Sequence, residues 1–268
     1  MTKILGDNMK NFYIVENTQK EKTKNIALKI KEYILSKGGE VSHSFENADC
    51  ILTLGGDGTI IRAAREMISK EIPIFGINLG HLGYLTSISK FENINPAIDM
   101  LMRGEYSIEK RMMLEGIYNE KHIALNDIVV TRTMSLKPIK FRVFVNGEFL
   151  NEYAADGIII ATPTGSTAYN LSAGGPIIKP SASIIIVTPI CAHTINQRSI
   201  VLSSEDEIDI EIISNNSSGS SVVFDGDIKE KVHTGAKILV RRSEKVTNLV
   251  KIRGGSFLDN IRNKMISI

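Results

Sequence analysis

Apolar residues fall along this chain in two rhythms, and the rhythm changes near residue 106. In the first third, short continuous apolar runs alternate with stretches of helical spacing. Phe12-Tyr13-Ile14-Val15, Cys50-Ile51-Leu52-Thr53-Leu54 and Ile72-Pro73-Ile74-Phe75-Gly76-Ile77 are runs of the kind a buried strand needs. Between the first two, Ile26, Ala27, Ile30, Tyr33 and Ile34 recur at helical spacing. Thr18-Gln19-Lys20-Glu21 precedes them as a capping box, and Gly38-Gly39 ends them. A second helix is expected from about Thr59, over Ile60-Ile61-Arg62-Ala63-Ala64-Arg65-Glu66-Met67. Asn95-Pro96 opens a third, with Asn as N-cap and Pro at the first helical position; it carries Ile98, Leu101 and Met102. This βαβαβ order predicts a parallel sheet covered by helices, with ligands bound at the carboxyl ends of its strands.

After Tyr106, short strand-like runs follow one another with turns and no long helix. Phe141, Val143 and Val145 alternate up to Asn146-Gly147, a strong hairpin signal. Further strands are expected at 157–161, 183–188, 207–213, 221–224, 237–240 and 248–252, giving a β-rich second domain. Asn215-Asn216-Ser217-Ser218-Gly219-Ser220 reads as a plain loop. Ser256-Phe257-Leu258-Asp259 caps a last helix bearing Leu258, Ile261 and Met265, which needs apolar surface and is expected to return to the first domain. The expected organisation is an α/β domain at 1–105, completed by 254–268, and a β-rich domain at 106–253.

Composition narrows the function. The 268 residues are 43% hydrophobic and 23% charged, an ordinary globular balance. The net charge of +2 is too even to argue for nucleic acid or an anionic membrane. Cys50 and Cys191 both stand in apolar, strand-like settings and read as reduced core residues. The first residues lack a signal-peptide pattern, and apolar runs such as 184–190 are too short to cross a bilayer, so a cytoplasmic protein is expected. There is no GxxxxGK[ST], which excludes a Walker-type enzyme. There is no HExxH or CxxC either, and the five histidines lie apart in sequence, so no protein-held metal is expected. His193 reads as structural.

Three segments carry candidate chemistry. Gly55-Gly56-Asp57-Gly58-Thr59 sits at a strand-to-helix turn, where glycine lets backbone amides approach phosphate. Asp57 would repel phosphate, so it makes sense only if it handles a proton or orients a hydroxyl near a phosphoryl group. Thr162-Pro163-Thr164-Gly165-Ser166-Thr167-Ala168-Tyr169-Asn170-Leu171-Ser172 follows a buried strand that begins after Asp156. Its hydroxyls and small residues offer donors to ribose and phosphate oxygens, and Tyr169 offers a stacking face. Gly76-Ile77-Asn78-Leu79-Gly80-His81-Leu82-Gly83-Tyr84-Leu85 fits a loop over a ligand and equally a glycine-rich linker. Asn126-Asp127 reads either as a strand end facing a pocket or as a simple turn. Asp225-Gly226-Asp227 reads either as a hairpin turn or as a pocket rim.

These segments, in this order, resemble the NAD kinase family. The Gly-Gly-Asp-Gly turn is shared with diacylglycerol kinases, sphingosine kinases and phosphofructokinases; the run from Thr162 to Tyr169 is much more specific. The resemblance implies a Rossmann-like N-terminal domain, a β-sandwich-like C-terminal domain and a C-terminal segment that packs back on the first. It implies transfer of a phosphoryl group from ATP, with Mg²⁺, to the adenosine-ribose 2′-hydroxyl of NAD, and a homodimer or homotetramer. By the same resemblance, Asp57 takes or orients the hydroxyl proton, and Gly55, Gly56 and Gly58 bring amides to the phosphates. Asn126 and Asp127 hold the ribose and adenine region. Asp156, Thr162, Thr167, Ala168, Tyr169, Asn170, Leu171 and Ser172 belong to the NAD-contacting loop, and Leu82, Gly83 and Tyr84 line the adenine or triphosphate side. Arg62 is a further phosphate or NAD contact.

The chain departs from the family pattern at three places, one of them at Ala154-Ala155, which precede Asp156 where some members carry a basic residue. Asp127 stands where the pair is often Asn-Glu, and Asp227 where glutamine is common. Three other readings compete. A lipid kinase would need an apolar cleft, against which the polar 162–169 loop argues. A dinucleotide sensor would have no use for Asp57, and a sugar kinase of the phosphofructokinase type would continue as α/β.

Overall fold

The computed structural model describes residues 7–16, 21–78, 80, 83–88, 91–133, 137–192, 198–214, 219–252 and 257–266. The cap expected at Thr18–Lys20, His81, Leu82, His193, most of the 215–220 loop and Ser256 lie outside them.

The chain forms two compact units. The first comprises Met1–Arg111 with Val246–Ile268, the second Met112–Lys245. The first unit begins β1 (Asn11–Glu16), α1 (Glu21–Ser36), β2 (Glu40–Val41), β3 (Cys50–Leu54), α2 (Asp57–Glu66), β4 (Ile74–Ile77) and α3 (Ile94–Met102). β1 pairs in parallel with β2 and β3, and β3 in parallel with β4. Every residue of β3 and β4 is buried, which is why the sequence shows unbroken apolar runs there. Ile30 and Ile34 of α1 and Ile98 and Leu101 of α3 join Phe12, Leu52 and Phe75 in one core. The Tyr33 hydroxyl donates to Asp99 Oδ2 at 2.9 Å and ties α1 to α3.

Helix starts differ from the sequence expectation. α2 starts at Asp57, with Gly56 as its N-cap, two residues before Thr59. α3 starts at Ile94, with Asn93 at the cap, and runs on from a 3₁₀ turn at Phe91–Asn93. Asn95 and Pro96 therefore lie in its first turn, where proline's missing N–H costs nothing.

The second unit is built from the end of β5 (Ser107–Ile117), whose residues up to Arg111 belong to the first, β6 (Lys121–Ala124), β7 (Asp127–Arg132), β8 (Ile139–Val145), β9 (Glu148–Ala155), β10 (Gly157–Ala161), α4 (Tyr169–Ser172), β11 (Ile184–Ile190), β12 (Ile200–Ser203), β13 (Ile208–Ser214), β14 (Ser220–Phe224), β15 (Ile228–Val232) and the start of β16 (Lys237–Lys251). One sheet runs β12-β11-β10-β7-β14-β15 and is antiparallel throughout. β13 pairs antiparallel with β8 and with the start of β16, and β8 with β9. Apolar residues of both layers, among them Phe141, Val143, Ile158, Ile160, Ile210 and Phe224, share one core, as in a β-sandwich. Asn146 and Gly147 both take positive φ, 52° and 79°, as a two-residue hairpin turn requires.

The strands expected at 237–240 and 248–252 are one strand, β16, of 15 residues. Its first half pairs with β13 in the second unit; Leu249 pairs in parallel with Ile74 of β4 in the first. The closing helix α5 (Phe257–Ile266) belongs to the first unit. Cys50 is fully buried, but Cys191 is exposed just past β11 in a left-handed conformation (φ 47°), so only Cys50 is the core residue expected of both. Among the described residues no helix is long and apolar enough to cross a membrane.

Candidate active site

In the first unit, the chemistry gathers where β3 hands over to α2. The Gly55 amide donates to the Ile77 carbonyl at 2.9 Å, so the turn stays in register with the neighbouring strand. Gly56 and Gly58 have negative φ, and a Cβ at either would meet no protein atom within 4 Å. Nothing inside the protein demands glycine there; the turn presents bare backbone to open space at a helix N-terminus, where partial positive charge favours anions.

Asp57 is the first residue of α2 and is wrapped by the chain at 83–86. Its Oδ2 accepts from the Tyr84 amide at 2.8 Å, and its Oδ1 from the Leu85 amide at 3.1 Å. Gly83 is buried against this carboxylate, so closely that a Cβ would fall on it. The Gly83 amide donates to Thr86 Oγ1 at 2.9 Å and fixes the turn. The linker reading of this segment therefore gives way to a strap over the acid. Burial and the charge of Asp57 push the Tyr84 phenol up. Arg62, one helical turn on, donates to the Glu16 carbonyl at the end of β1 (3.3 Å).

In the second unit, Asn126 and Asp127 stand where the chain enters β7. The Thr162 amide donates to the Asn126 carbonyl at 2.8 Å, and the Thr162 hydroxyl to the Leu125 carbonyl at 2.6 Å. A Cβ at Gly165 would collide with the Asn126 backbone. The two segments singled out in sequence thus pack directly on each other. Asp127 is only 5% exposed. Burial, then the neighbouring Asp225 carboxylate, raises its pKa to about 7.

The loop after β10 divides into scaffold and surface. Asn170 is fully buried: its Oδ1 accepts from the Thr188 hydroxyl at 2.7 Å, and its Nδ2 donates to the Ser166 and Pro176 carbonyls. Thr162 is equally buried. At these two positions the side-chain polar groups are turned inward and hold the loop. Thr167 and Ala168 are partly exposed, and Tyr169, Leu171 and Ser172 are exposed. Asp225 and Gly226 take positive φ (51° and 74°) between Phe224 and Ile228, so Asp225-Gly226-Asp227 is a hairpin turn, with Asp227 exposed. Among the described residues, no group of three His, Cys, Asp or Glu side chains is placed to hold a metal ion.

Residues 1–106 match the family model for the ATP-NAD kinase N-terminal domain, and residues 125–252 the one for the ATP-NAD kinase C-terminal domain. An NAD kinase of Lachnospira eligens is 43% identical, over 96% of this chain and 100% of its own length. One from Caldanaerobacter subterraneus is 38% identical, over 96% and 99%. The chain belongs to the NAD kinase family. It is therefore a phosphotransferase with an alcohol group as acceptor. Among solved structures, an NAD kinase from Archaeoglobus fulgidus in complex with ATP superposes with a TM-score of 0.80 at 28% identity, covering 96% of this chain and 99% of its own. Yeast NADH kinase complexed with NADH shares the fold, with a TM-score of 0.85 at 24% identity over 98% and 89%.

Three further side chains of this NAD kinase family member support the expected residues. Asp225 accepts from the amides of Leu125 (2.8 Å), Asn126 (2.7 Å) and Asp127 (3.3 Å), and so holds the Asn-Asp pair in place. The sequence showed the Asp-Gly turn but not its target 98 to 100 residues away. Arg132 grips Asp156 with both prongs, Nε to Oδ1 at 2.7 Å and Nη2 to Oδ2 at 3.0 Å, and fixes that carboxylate at the foot of β10. Lys251, at the end of β16, donates to the Leu85 carbonyl at 3.1 Å. No local pattern marks Arg132 or Lys251, since each partner is distant in sequence.

Proposed function

We propose that this enzyme transfers the γ-phosphoryl group of MgATP to the adenosine-ribose 2′-hydroxyl of NAD, giving NADP. The observation that carries the reading is the seat of Asp57. A carboxylate held by two backbone amides, beside glycines that face open space at a helix N-terminus, is suited to a hydroxyl nucleophile next to phosphates. Gly56 and Gly58 present amides to the phosphates, while the Gly55 amide, given to the Ile77 carbonyl, sets the turn that carries them; Arg62, Gly83 and Tyr84, and Leu82 from its sequence, are assigned to the same group. In the second unit, Asn126, Asp127 and Asp156 accept from the dinucleotide. Thr167, Ala168, Tyr169, Leu171 and Ser172 offer it an exposed edge, with Asp227 on the hairpin turn; Thr162 and Asn170 hold that edge in shape.

Phosphoryl transfer asks the protein for alignment and charge neutralisation more than covalent work. Mg²⁺ arrives with the triphosphate as part of the substrate and neutralises its charge. A positioned base contributes about 10²–10⁴-fold. The same reading includes a cytoplasmic homodimer or homotetramer, supported by the family resemblance.

The test is NADP formation from NAD, ATP and Mg²⁺, followed through an NADP-specific dehydrogenase, with Asp57→Asn alongside. The variant's amide group opposes one of the two backbone donors, so a thermal melt accompanies the assay. Activity in the parent and its loss in a folded variant is the expected result. Near-parental turnover of Asp57→Asn removes Asp57 from the mechanism; no NADP from the parent removes the reaction.

A further inference from the structure

Lys251 is partly buried in the first unit, at the end of the strand that pairs with β4, with its Nζ turned toward the strap over Asp57. Leu85 is gripped at both ends of its backbone. Its amide donates to Asp57 Oδ1 at 3.1 Å, and its carbonyl accepts from Lys251 Nζ at 3.1 Å. The Lys251 main chain is itself held, its carbonyl accepting from the Ser107 hydroxyl at 3.3 Å.

We propose that Lys251 is a positioning residue for the Asp57 carboxylate: its ammonium pins Leu85, and with it the strap over residues 83–86 whose amides hold that carboxylate. The inference rests on the phosphotransferase reading of Asp57. An uncharged side chain could fill the space, and packing alone gives no reason for a second cation beside Arg111. That arrangement works against the lysine. Burial first, then the Arg111 guanidinium, lower its pKa to about 8, against the opposing pull of Glu109 and Asp57. The charged groups facing it are thus Arg111 and Glu109 from β5 and Asp57 from α2. The Tyr84 phenol, beside Asp57, is pushed up and away from the neutral range. A lysine so placed is charged at neutral pH and loses that charge as the pH rises through about 8.

The experiment compares the full-length parent with Lys251→Met and Lys251→Arg in steady-state NADP formation across about pH 6 to 9.5, with thermal melts. Lys251→Met is expected to lower kcat by about tenfold or more at neutral pH, with KM for NAD and ATP within about twofold of the parent. Lys251→Arg, whose charge does not titrate in this range, is expected to recover kcat at neutral pH. It is also expected to hold activity at high pH, where the parent's kcat declines through about 8. An active parent matched by Lys251→Met at every pH overturns the proposal and leaves the reaction standing. Equal losses in both variants, tracking a fall in melting temperature, reduce Lys251 to a structural lysine and overturn it too. If Lys251→Met does not fold, the high-pH limb of Lys251→Arg against the parent decides alone. A parent that forms no NADP removes the reaction, and this role with it.

Discussion

Replacing Asp127 with asparagine keeps the side chain's shape and removes its ability to ionise. In the folded protein Asp127 is buried beside the Asp225 carboxylate and titrates near 7, against an ordinary value of 3.8. The native state therefore holds a proton that the unfolded chain releases from about pH 4 upward. Stability attributable to this group is complete below 3.8, is lost as the pH rises toward about 7, and changes little beyond. At 1.36 kcal/mol per pH unit, the gap between the two states amounts to about 4 kcal/mol by pH 8, but to only about 1 kcal/mol at pH 4.5. Asp127→Asn removes that slope. Relative to the parent, the variant should gain about 3 kcal/mol between pH 4.5 and pH 8. In thermal melts that is a change of roughly 6 °C or more in the difference between the two melting temperatures. An amide that pairs poorly in the buried site shifts both ends of the series equally and leaves the change intact. A difference in melting temperature that is the same at pH 4.5 and pH 8 would show that Asp127 is ionised throughout and that the account of its environment is wrong.

The glycines give a paired expectation. Gly58→Ala meets no protein atom and lies within α2, so it should raise stability by about 0.5 kcal/mol while weakening ATP, read as a higher KM in steady-state assays. Gly83→Ala places a methyl group on the Asp57 carboxylate; displacing the strap should cost about 1–3 kcal/mol in a melt and most of kcat. The two cysteines should differ sharply toward a maleimide. Cys191 is exposed, while Cys50 is fully buried with its thiol pushed up by burial, so one equivalent should react in the native protein and two in denaturant.

The sequence by itself determined the parts governed by neighbours along the chain. Continuous apolar runs marked β3 and β4 because both faces of those strands are buried, and helical spacing marked α1. Asn146-Gly147 marked its hairpin because few residues adopt positive φ in succession. The Gly-Gly-Asp-Gly turn and the 162–172 run were legible for the same reason: their chemistry is written in consecutive residues. Boundaries were less legible, since the starts of α2 and α3 depend on which residue turns into the helix, and Gly56 and Asn93 carry no side-chain cap to announce it.

Only the tertiary structure decided which side chains of these motifs face outward. Thr162 and Asn170 look like ligand groups in a hydroxyl-rich run, yet their partners Leu125, Thr188 and Pro176 turn them into the scaffold. It also decided that β16 is one strand, because different partners, β13 and β4, claim its two halves. The groups that hold Asp57, Asp127 and Asp156 in place are the strap at 83–86 with Lys251, Asp225 and Arg132. They come from positions about 24 to 190 residues away, where no periodicity or spacing couples them. Local preference writes elements into a sequence; the setting of a carboxylate is written by whatever the fold brings against it.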